Sequence, residues 1–321
     1  MMNQEFVLTI GQPMTLFAVH ISDGVLTWPW LAGGFAVAAC LVFAALWRLR
    51  DDEIPRIGVL TAAFFVTAII RIPLPGVTIH LLLSGLIGVI LGRRAALTIF
   101  VGLLLQKILT EHGGYYTIGI NTCVMTIPAL LSWALFHCVH PMPWIKTPIG
   151  RTGLVGVGAM VLFLSGVYCC TLLAMTSLTE LDRWALELAN QMLFDPWVIG
   201  DALLFAVFAV VLERRLENTP EFPLGFLIGE LSVLMTAGLN CVVLILGGET
   251  NWPILPLVIV IAHLPFAVVE GVILGFVVGF LAQVKPELLN HGGHGEHGGK
   301  SEEARREILT PTLAEPTTKS D

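Results

Sequence analysis

Residues 29–47 read PWLAGGFAVAACLVFAALW, a stretch without a charged side chain. A helix rises about 1.5 Å per residue, so this stretch reaches about 28 Å, close to the hydrocarbon thickness of a bilayer. Similar apolar stretches recur along the chain, separated by charges, prolines and glycines. The sequence therefore predicts an all-α, polytopic helical membrane protein with about nine spanning helices, near residues 29–47, 56–72, 78–92, 95–111, 118–139, 152–177, 196–213, 224–247 and 255–284.

The composition agrees with that class. Of the 321 residues, 55% are hydrophobic and 13% are charged, whereas soluble domains carry about 25% charged residues. The net charge of −7 and the lack of a basic cluster disfavour a nucleic-acid partner, whose phosphates would need neutralising. The six cysteines lack the paired spacing of a zinc site or a disulfide framework, so we interpret them as small buried hydrophobes.

The positions of the basic residues predict the orientation of the chain. They fall in every second connection between the predicted spans, and basic connections stay in the cytoplasm. We therefore expect a multi-pass membrane protein with the N-terminus outside and the C-terminus in the cytoplasm. The residues concerned are Arg48, Arg50, Arg56, Arg93, Arg94, Lys146, Arg151, Arg214, Arg215 and Lys285.

The chain divides into three regions. Residues 1–19 form an N-terminal extension that is processed, reflects a mis-assigned start, or is retained with a substitute ligand or a weakened site, and residues 20–289 form the transmembrane domain. Residues 290–321 are polar and are expected to be a disordered cytoplasmic tail, whose histidines either hold metal loosely or are incidental. Within the domain, residues 179–195 fit either an amphipathic interfacial helix or an ordinary loop.

Metal-ligating residues are rare at membrane depth, so each is a functional candidate. The predicted topology brings His20, His80 and the turn Gly113-Gly114 to the outer face. Two imidazoles from different segments can form a transition-metal site, because imidazole nitrogen suits nickel, copper, zinc and cobalt. The alternative for each histidine is an interfacial side chain at a helix end.

Two further candidates lie deeper. His263 and Glu270 are seven residues apart and therefore share one helix face. They could line a path for a cation or a proton, or they could form hydrogen bonds between helices. No catalytic constellation appears, and the tail sequence Gly299-Lys300-Ser301 lacks the earlier glycine of a phosphate-binding loop. We therefore expect a transporter subunit without its own ATPase motif, and not an enzyme.

Four stretches of the sequence, in order along the chain, carry a resemblance to one family. They resemble the CbiM/NikM family, the substrate-specific membrane components of energy-coupling-factor transporters for cobalt and nickel. The stretches are HISDGVL at 20–26, GVTIHLL at 76–82, LLLQ at 103–106 followed by Gly113-Gly114 and Asn121-Thr122, and finally His263, Glu270-Gly271 and VKPELL at 284–289.

The resemblance implies a metal held by nitrogen atoms in a plane, with Ni²⁺ or Co²⁺ as the transported substrate and no covalently bound cofactor. His20 would supply its imidazole and backbone nitrogen, and His80 would supply a second imidazole. Val19 would supply an amine only if the chain is processed before it. Asp23 and Asn121 would orient the rings.

The resemblance also implies a location in the bacterial inner membrane, and partners, namely a transmembrane coupling subunit, two ATPase subunits and a small accessory membrane subunit. The chain departs from the family pattern in two places. Nineteen residues precede His20, and residues 151–223 contain spans beyond the usual number. Two alternatives stay open: an autonomous proton-coupled cation carrier, and a membrane metal sensor or assembly factor that does not transport.

Overall fold

A computed structural model describes residues 17–18, 20–70, 72–74, 77–111, 113–176, 191, 194–216, 219–249 and 255–289. The predicted extension before residue 17, the segment 179–190 and the tail from residue 290 lie outside these ranges. The described chain is helical, with a small sheet near its start. The helices are α1 (Trp28–Leu46), α2 (Ile54–Ile69), α3 (Ser84–Leu91), α4 (Ala95–Thr110), α5 (Ile118–Val139), α6 (Pro148–Thr176), α7 (Pro196–Leu216), α8 (Phe222–Gly247) and α9 (Leu255–Val284).

The predicted class, a helical membrane protein, is confirmed. The predicted count of nine spanning helices is not confirmed. Seven helical segments in the described ranges are long and apolar enough to cross a bilayer, and one of them, Ser84–Thr110, joins α3 and α4, which the turn at Gly92 divides. The predicted span 78–92 is instead the strand Val77–Ile79 followed by the eight-residue helix α3. A helix of that length is only about 12 Å long, less than half of a hydrocarbon core.

The chain reverses direction between α3 and α4. Helix α3 runs alongside α5 in the same direction, since Gly88 abuts Ala129 and Gly92 abuts Trp133. The far end of α4 instead returns to the start of α5, where Lys107 lies near Asn121. Gly92 makes the turn with a φ of +53°, a value that costs glycine little.

Arg94, just after this turn, holds the end of α1. Its guanidinium donates to the backbone carbonyls of Ala45, of Trp47 at 3.0 Å and of Arg48 at 2.7 Å. It also forms an ion pair with Glu53 at 2.8 Å. The last carbonyls of a helix have no partner within the helix, so this buried arginine replaces the missing donors.

A three-stranded sheet lies next to the short helix α3. Strands β1 (Phe17–Ala18), β2 (Ile72–Leu74) and β3 (Val77–Ile79) are arranged in the order β1-β3-β2. The central strand β3 pairs in parallel with β1 and antiparallel with β2. Pro73 lies in the edge strand β2, where the absence of a donor on one side is tolerated.

The later helices form the rest of the bundle. Helices α8 and α9 pack against each other, and α8 also packs against α3 and α5. Helices α6 and α7 pair at the periphery, where Arg151 donates to Glu213 at 2.7 Å. The core therefore lies among α3, α4, α5, α8 and α9. Strands β1 and β3 end beside this core, just before the candidate ligands His20 and His80.

Candidate metal site

The two candidate imidazoles meet in the structure. The Nε2 atoms of His20 and His80 are 3.2 Å apart, and the ring centroids are separated by 5.1 Å. Both residues are buried, with 2% and 0% of their surfaces exposed. Two histidines sixty positions apart in the chain therefore point their ring nitrogens at one location inside the protein.

The spacing of these nitrogens fits two ligands of one ion. Nitrogen ligands lie about 2.0–2.1 Å from a metal such as zinc. Two nitrogens 3.2 Å apart at that distance would subtend about 100° at the ion. Such an angle is that of neighbouring ligands, between the 90° of a square plane and the 109° of a tetrahedron.

The proton on His80 can be assigned from its other nitrogen. Nδ1 of His80 lies 2.8 Å from the carbonyl oxygen of Leu81, and a carbonyl can only accept. Nδ1 therefore carries the hydrogen, and Nε2 of the neutral ring presents its lone pair toward His20. A backbone carbonyl that fixes the tautomer in this way is common behind metal-binding histidines.

The segment that carries His20 is attached to the start of α5. The amide of Asn121 accepts from the N–H of Ile21 at 2.9 Å and donates to its carbonyl at 2.9 Å. The hydroxyl of Thr117 donates to the same carbonyl at 2.7 Å. The residue after His20 is thus bound on both of its backbone polar groups, so the imidazole has little freedom to swing away.

Asp23 anchors the same segment a second time. Its carboxylate accepts from the N–H groups of Tyr115 at 2.9 Å, Tyr116 at 2.9 Å and Thr117 at 3.1 Å. These donors precede α5 and have no helical partner. Gly114 is required beside this carboxylate, since a Cβ there would lie 2.0 Å from an Asp23 oxygen.

Glu270 supports the second histidine from α9. Its buried carboxylate accepts from the N–H of Leu82, two residues after His80 and just before α3. The sequence suggested an ion path through His263 and Glu270, and the structure places Glu270 against the backbone of the His80 segment. His263 is buried on the same helix, seven residues before Glu270, with its Nδ1 2.5 Å from the carbonyl oxygen of Ile259.

A small cavity of about 10 Å³ adjoins His20, enough for about one water molecule. Lys107, which the sequence did not link to the site, lines this cavity and donates to the carbonyl of Gly113 at 3.0 Å. Thr117 was also missed as a contact of the His20 segment. The signal was the group of amide and hydroxyl side chains in the Gly-rich segment 113–122, which the predicted topology places beside the two histidines.

Val19 lies outside the described residues, so its amine is untested. Within the described ranges, no group of three or more histidine, cysteine, aspartate and glutamate side chains gathers to hold a metal. The pair His20 and His80 therefore offers two side-chain ligands. Backbone nitrogen or water would have to fill the remaining positions around an ion.

Comparison with known proteins agrees with the membrane setting of the chain. A putative metal transport protein of Haemophilus influenzae is 35% identical over 149 residues, which are 46% of this chain and 70% of that protein. The cobalt transport protein CbiM of Geobacter sulfurreducens is 27% identical over 69% of this chain, which spans 58% of that protein. The putative cobalt transport protein CbiM 1 of Methanocorpusculum labreanum is 24% identical, over 86% of this chain and 94% of its own length.

Among solved structures, a crystal structure of a transition metal transporter is 18% identical and has a TM-score of 0.47 over 83% of this chain and 93% of that one. The family model described as the cobalt uptake substrate-specific transmembrane region, CbiM, matches residues 20–200 and 197–288. These stretches include His20, His80 and Glu270. The chain is therefore a multi-pass membrane protein that belongs to the CbiM family of cobalt-uptake transmembrane components.

Proposed function

We propose that this chain is the substrate-binding membrane subunit of an ATP-driven uptake transporter for Co²⁺ or Ni²⁺. The observation that carries the proposal is the contact between the buried imidazoles of His20 and His80, whose Nε2 atoms are 3.2 Å apart. Two converging imidazoles provide borderline ligands that suit both ions. Membership of a cobalt-uptake family supports the same class of substrate.

In this proposal the ion is captured at the outer face and released inward after a conformational change. Two anchors hold the His20 segment, through Asn121 and Asp23, and one carboxylate, that of Glu270, holds the His80 segment. On its C-terminal side, each histidine is thus held by a different supporting unit. A change in how the units pack would separate the imidazoles and release the ion.

The energy for release would come from partners. We propose a transmembrane coupling subunit with two ATPase subunits, and a small accessory membrane subunit. The sequence has no phosphate-binding loop of its own that could hold ATP. Purification of the tagged chain from native membranes tests this part: co-purifying ATPase chains support it, and a chain that takes up metal in proteoliposomes without them contradicts it.

The metal site itself is tested by a matched pair of variants. Replacing His80 by Ala removes one of the two converging imidazoles, and we expect at least a hundredfold loss of Co²⁺ or Ni²⁺ affinity in calorimetry. His140→Ala is the control, because His140 stacks on Phe136 at the opposite end of α5. Equal affinity of the wild type and His80→Ala would exclude the site.

A comparison of the two ions addresses the choice of substrate. Ni²⁺ favours a square plane of nitrogen ligands, whereas an angle near 100° also suits other geometries. Metal analysis of protein purified from cells grown with both ions reports which one is retained. The d–d absorption spectrum of the Co²⁺-loaded protein then reports the coordination number.

The rival proposal is an autonomous carrier that uses His263 and Glu270 as a proton-coupled path. The contact of Glu270 with the N–H of Leu82 gives that carboxylate a structural role beside the metal site. This contact favours the role of a support over that of a step on a path. For the metal-sensor alternative, no contact in the described part of the chain gives specific support.

A further inference from the structure

The pairing register of the small sheet carries the two histidines to each other. Strand β1 pairs in parallel with β3, Phe17 with Val77 and Ala18 with Thr78, so each partner is sixty positions from the other. His20 and His80 are also sixty positions apart. The same register, continued past the ends of the two strands, therefore places His20 opposite His80.

The distances agree with that reading. Neighbouring strands lie about 4.7–4.9 Å apart, and partners in a parallel register project their side chains to the same side. The centroids of the His20 and His80 rings are 5.1 Å apart. The two rings thus have the separation of side chains on adjacent paired strands, although each residue lies just beyond the end of its strand.

We propose that strand β1 is a positioning element of the metal site, and that Phe17 and Ala18 remain in the working protein to set this register. The proposal rests on the proposed function, in that His20 and His80 hold the ion. The family match begins at residue 20. Strand β1 therefore precedes the matched region. Its proposed role is a feature of this chain that the family match does not cover.

The physical reason is preorganisation. The backbone after His20 is held by Asn121 and Asp23, and the backbone after His80 is held by Glu270. Without β1, the His20 imidazole would be anchored on its C-terminal side alone, whereas β2 would still pair with β3 just before His80. Pairing of β1 with β3 ties the N-terminal side of His20 to a strand that is already held, so the ion does not have to order the His20 segment when it binds.

Proline substitutions in the full-length chain test the pairing. Strand β1 lies at an edge of the sheet with β3 as its neighbour, and successive N–H groups of a strand point to opposite sides. Of Phe17→Pro and Ala18→Pro, one therefore removes a ladder donor and the other a donor that faces away. We expect at least a tenfold weaker Co²⁺ affinity in the variant that loses the ladder donor, and wild-type affinity in the control Gly58→Ala, where an added Cβ meets nothing within 4 Å.

An inserted residue tests the register separately from the strand. A second valine after Val19 lengthens the link between β1 and His20 by one residue, so the offset of sixty positions that both the strand pairing and the histidine pair share is lost. We expect at least a tenfold loss of affinity. Thermal unfolding in detergent should stay within a few degrees of the wild type, because the large helices do not depend on this link.

The outcomes separate this proposal from the proposed function. Wild-type affinity in both proline variants and in the insertion, together with lost binding in His80→Ala, overturns the register proposal and leaves the site intact. Unchanged binding in His80→Ala overturns the site itself. N-terminal sequencing of protein from native membranes adds a direct check: a mature chain that begins at Val19 or later contradicts the retention of β1.

Discussion

Asn121 binds both backbone polar groups of Ile21, with its Oδ1 2.9 Å from the N–H and its Nδ2 2.9 Å from the carbonyl. The two residues are one hundred positions apart in the chain. A side-chain amide here does what a neighbouring strand would do, since it offers one acceptor and one donor side by side. This pair connects the loop of His20 to the first turn of α5.

Asn121→Ala should therefore weaken metal binding without removing a ligand. It leaves the N–H of Ile21 without its acceptor, which costs about 1–3 kcal/mol and loosens the His20 loop, while the carbonyl of Ile21 keeps the hydroxyl of Thr117 as a donor. We expect a five- to hundredfold loss of Co²⁺ affinity in calorimetry. Thr122→Ala is the control, because its hydroxyl bonds only the Ile118 carbonyl in its own helix. Equal losses in both variants would argue against a specific role of Asn121.

Gly114→Ala should damage the site through steric conflict. The added Cβ would lie 2.0 Å from an Asp23 oxygen, so the carboxylate must leave the N–H groups that precede α5. We expect loss of uptake and a metal affinity reduced by at least tenfold. Gly58→Ala is the matched change, because a Cβ at Gly58 meets nothing within 4 Å. Normal uptake by Gly114→Ala would show that this carboxylate can move without cost.

Glu270→Gln distinguishes a supporting role from a transport path. An amide oxygen can still accept from the N–H of Leu82, so a support should largely survive the change. Glu270→Ala removes the acceptor, and we expect at least a tenfold loss of metal affinity. If Glu270→Gln binds metal normally but abolishes uptake, the carboxylate charge acts in transport. Glu230→Gln, on the facing helix α8, controls for the loss of a buried acid.

The Glu53–Arg94 pair predicts a pH dependence of stability. Burial alone would raise the pKa of the Glu53 carboxyl, but hydrogen bonds from Arg94 and from the Arg50 N–H, with the charges of Arg94 and Arg93, lower it below its ordinary 4.5. A lowered acid pKa contributes stability above the unfolded value and loses it as the pH falls through the folded value. The melting temperature should therefore fall on acidification below about pH 4.5.

Glu53→Gln tests this directly. The variant should melt at a lower temperature than the wild type near neutral pH, and its melting temperature should change less below pH 4.5. Asp52→Asn is the control, because Asp52 pairs with Arg50 at an exposed position, where ion pairs contribute little. A wild-type pH profile in Glu53→Gln would remove the pair from the acid response.

Most of the helices could be predicted from hydropathy alone. Helix α1 begins at Trp28 and α5 begins at Ile118, both within one residue of the predicted spans. The region 78–92 misled the prediction because it is apolar throughout, and hydropathy does not separate a strand plus a short helix from a spanning helix. What shortens the helix is tertiary: the pairing of β3 with two strands and the reversal at Gly92.

The candidate site was only partly predictable. His20 and His80 could be singled out because polar residues at membrane depth are costly and few. Their approach to 3.2 Å could not, since it depends on contacts across long distances in the chain. The bond from Leu82 to Glu270 spans 188 positions, and no local pattern signals such a partner. Hydrophobic periodicity assigns a face to each helix but does not show which faces meet.

Glu270 and Asp23, the two acids that anchor the histidine segments, also lie at the starts of two helices. Helices α3 and α5 both begin near the histidine pair, and the start of a helix carries about half a positive charge from its aligned peptide dipoles. Two such ends would repel a divalent cation with about one unit of charge. Carboxyl oxygens of Glu270 and Asp23 accept from N–H groups at these two ends and offset their positive charge. The ammonium of Lys107 lines the cavity beside His20 and acts in the opposite sense, so the two acids compensate the helix ends while Lys107 adds positive charge next to the imidazoles.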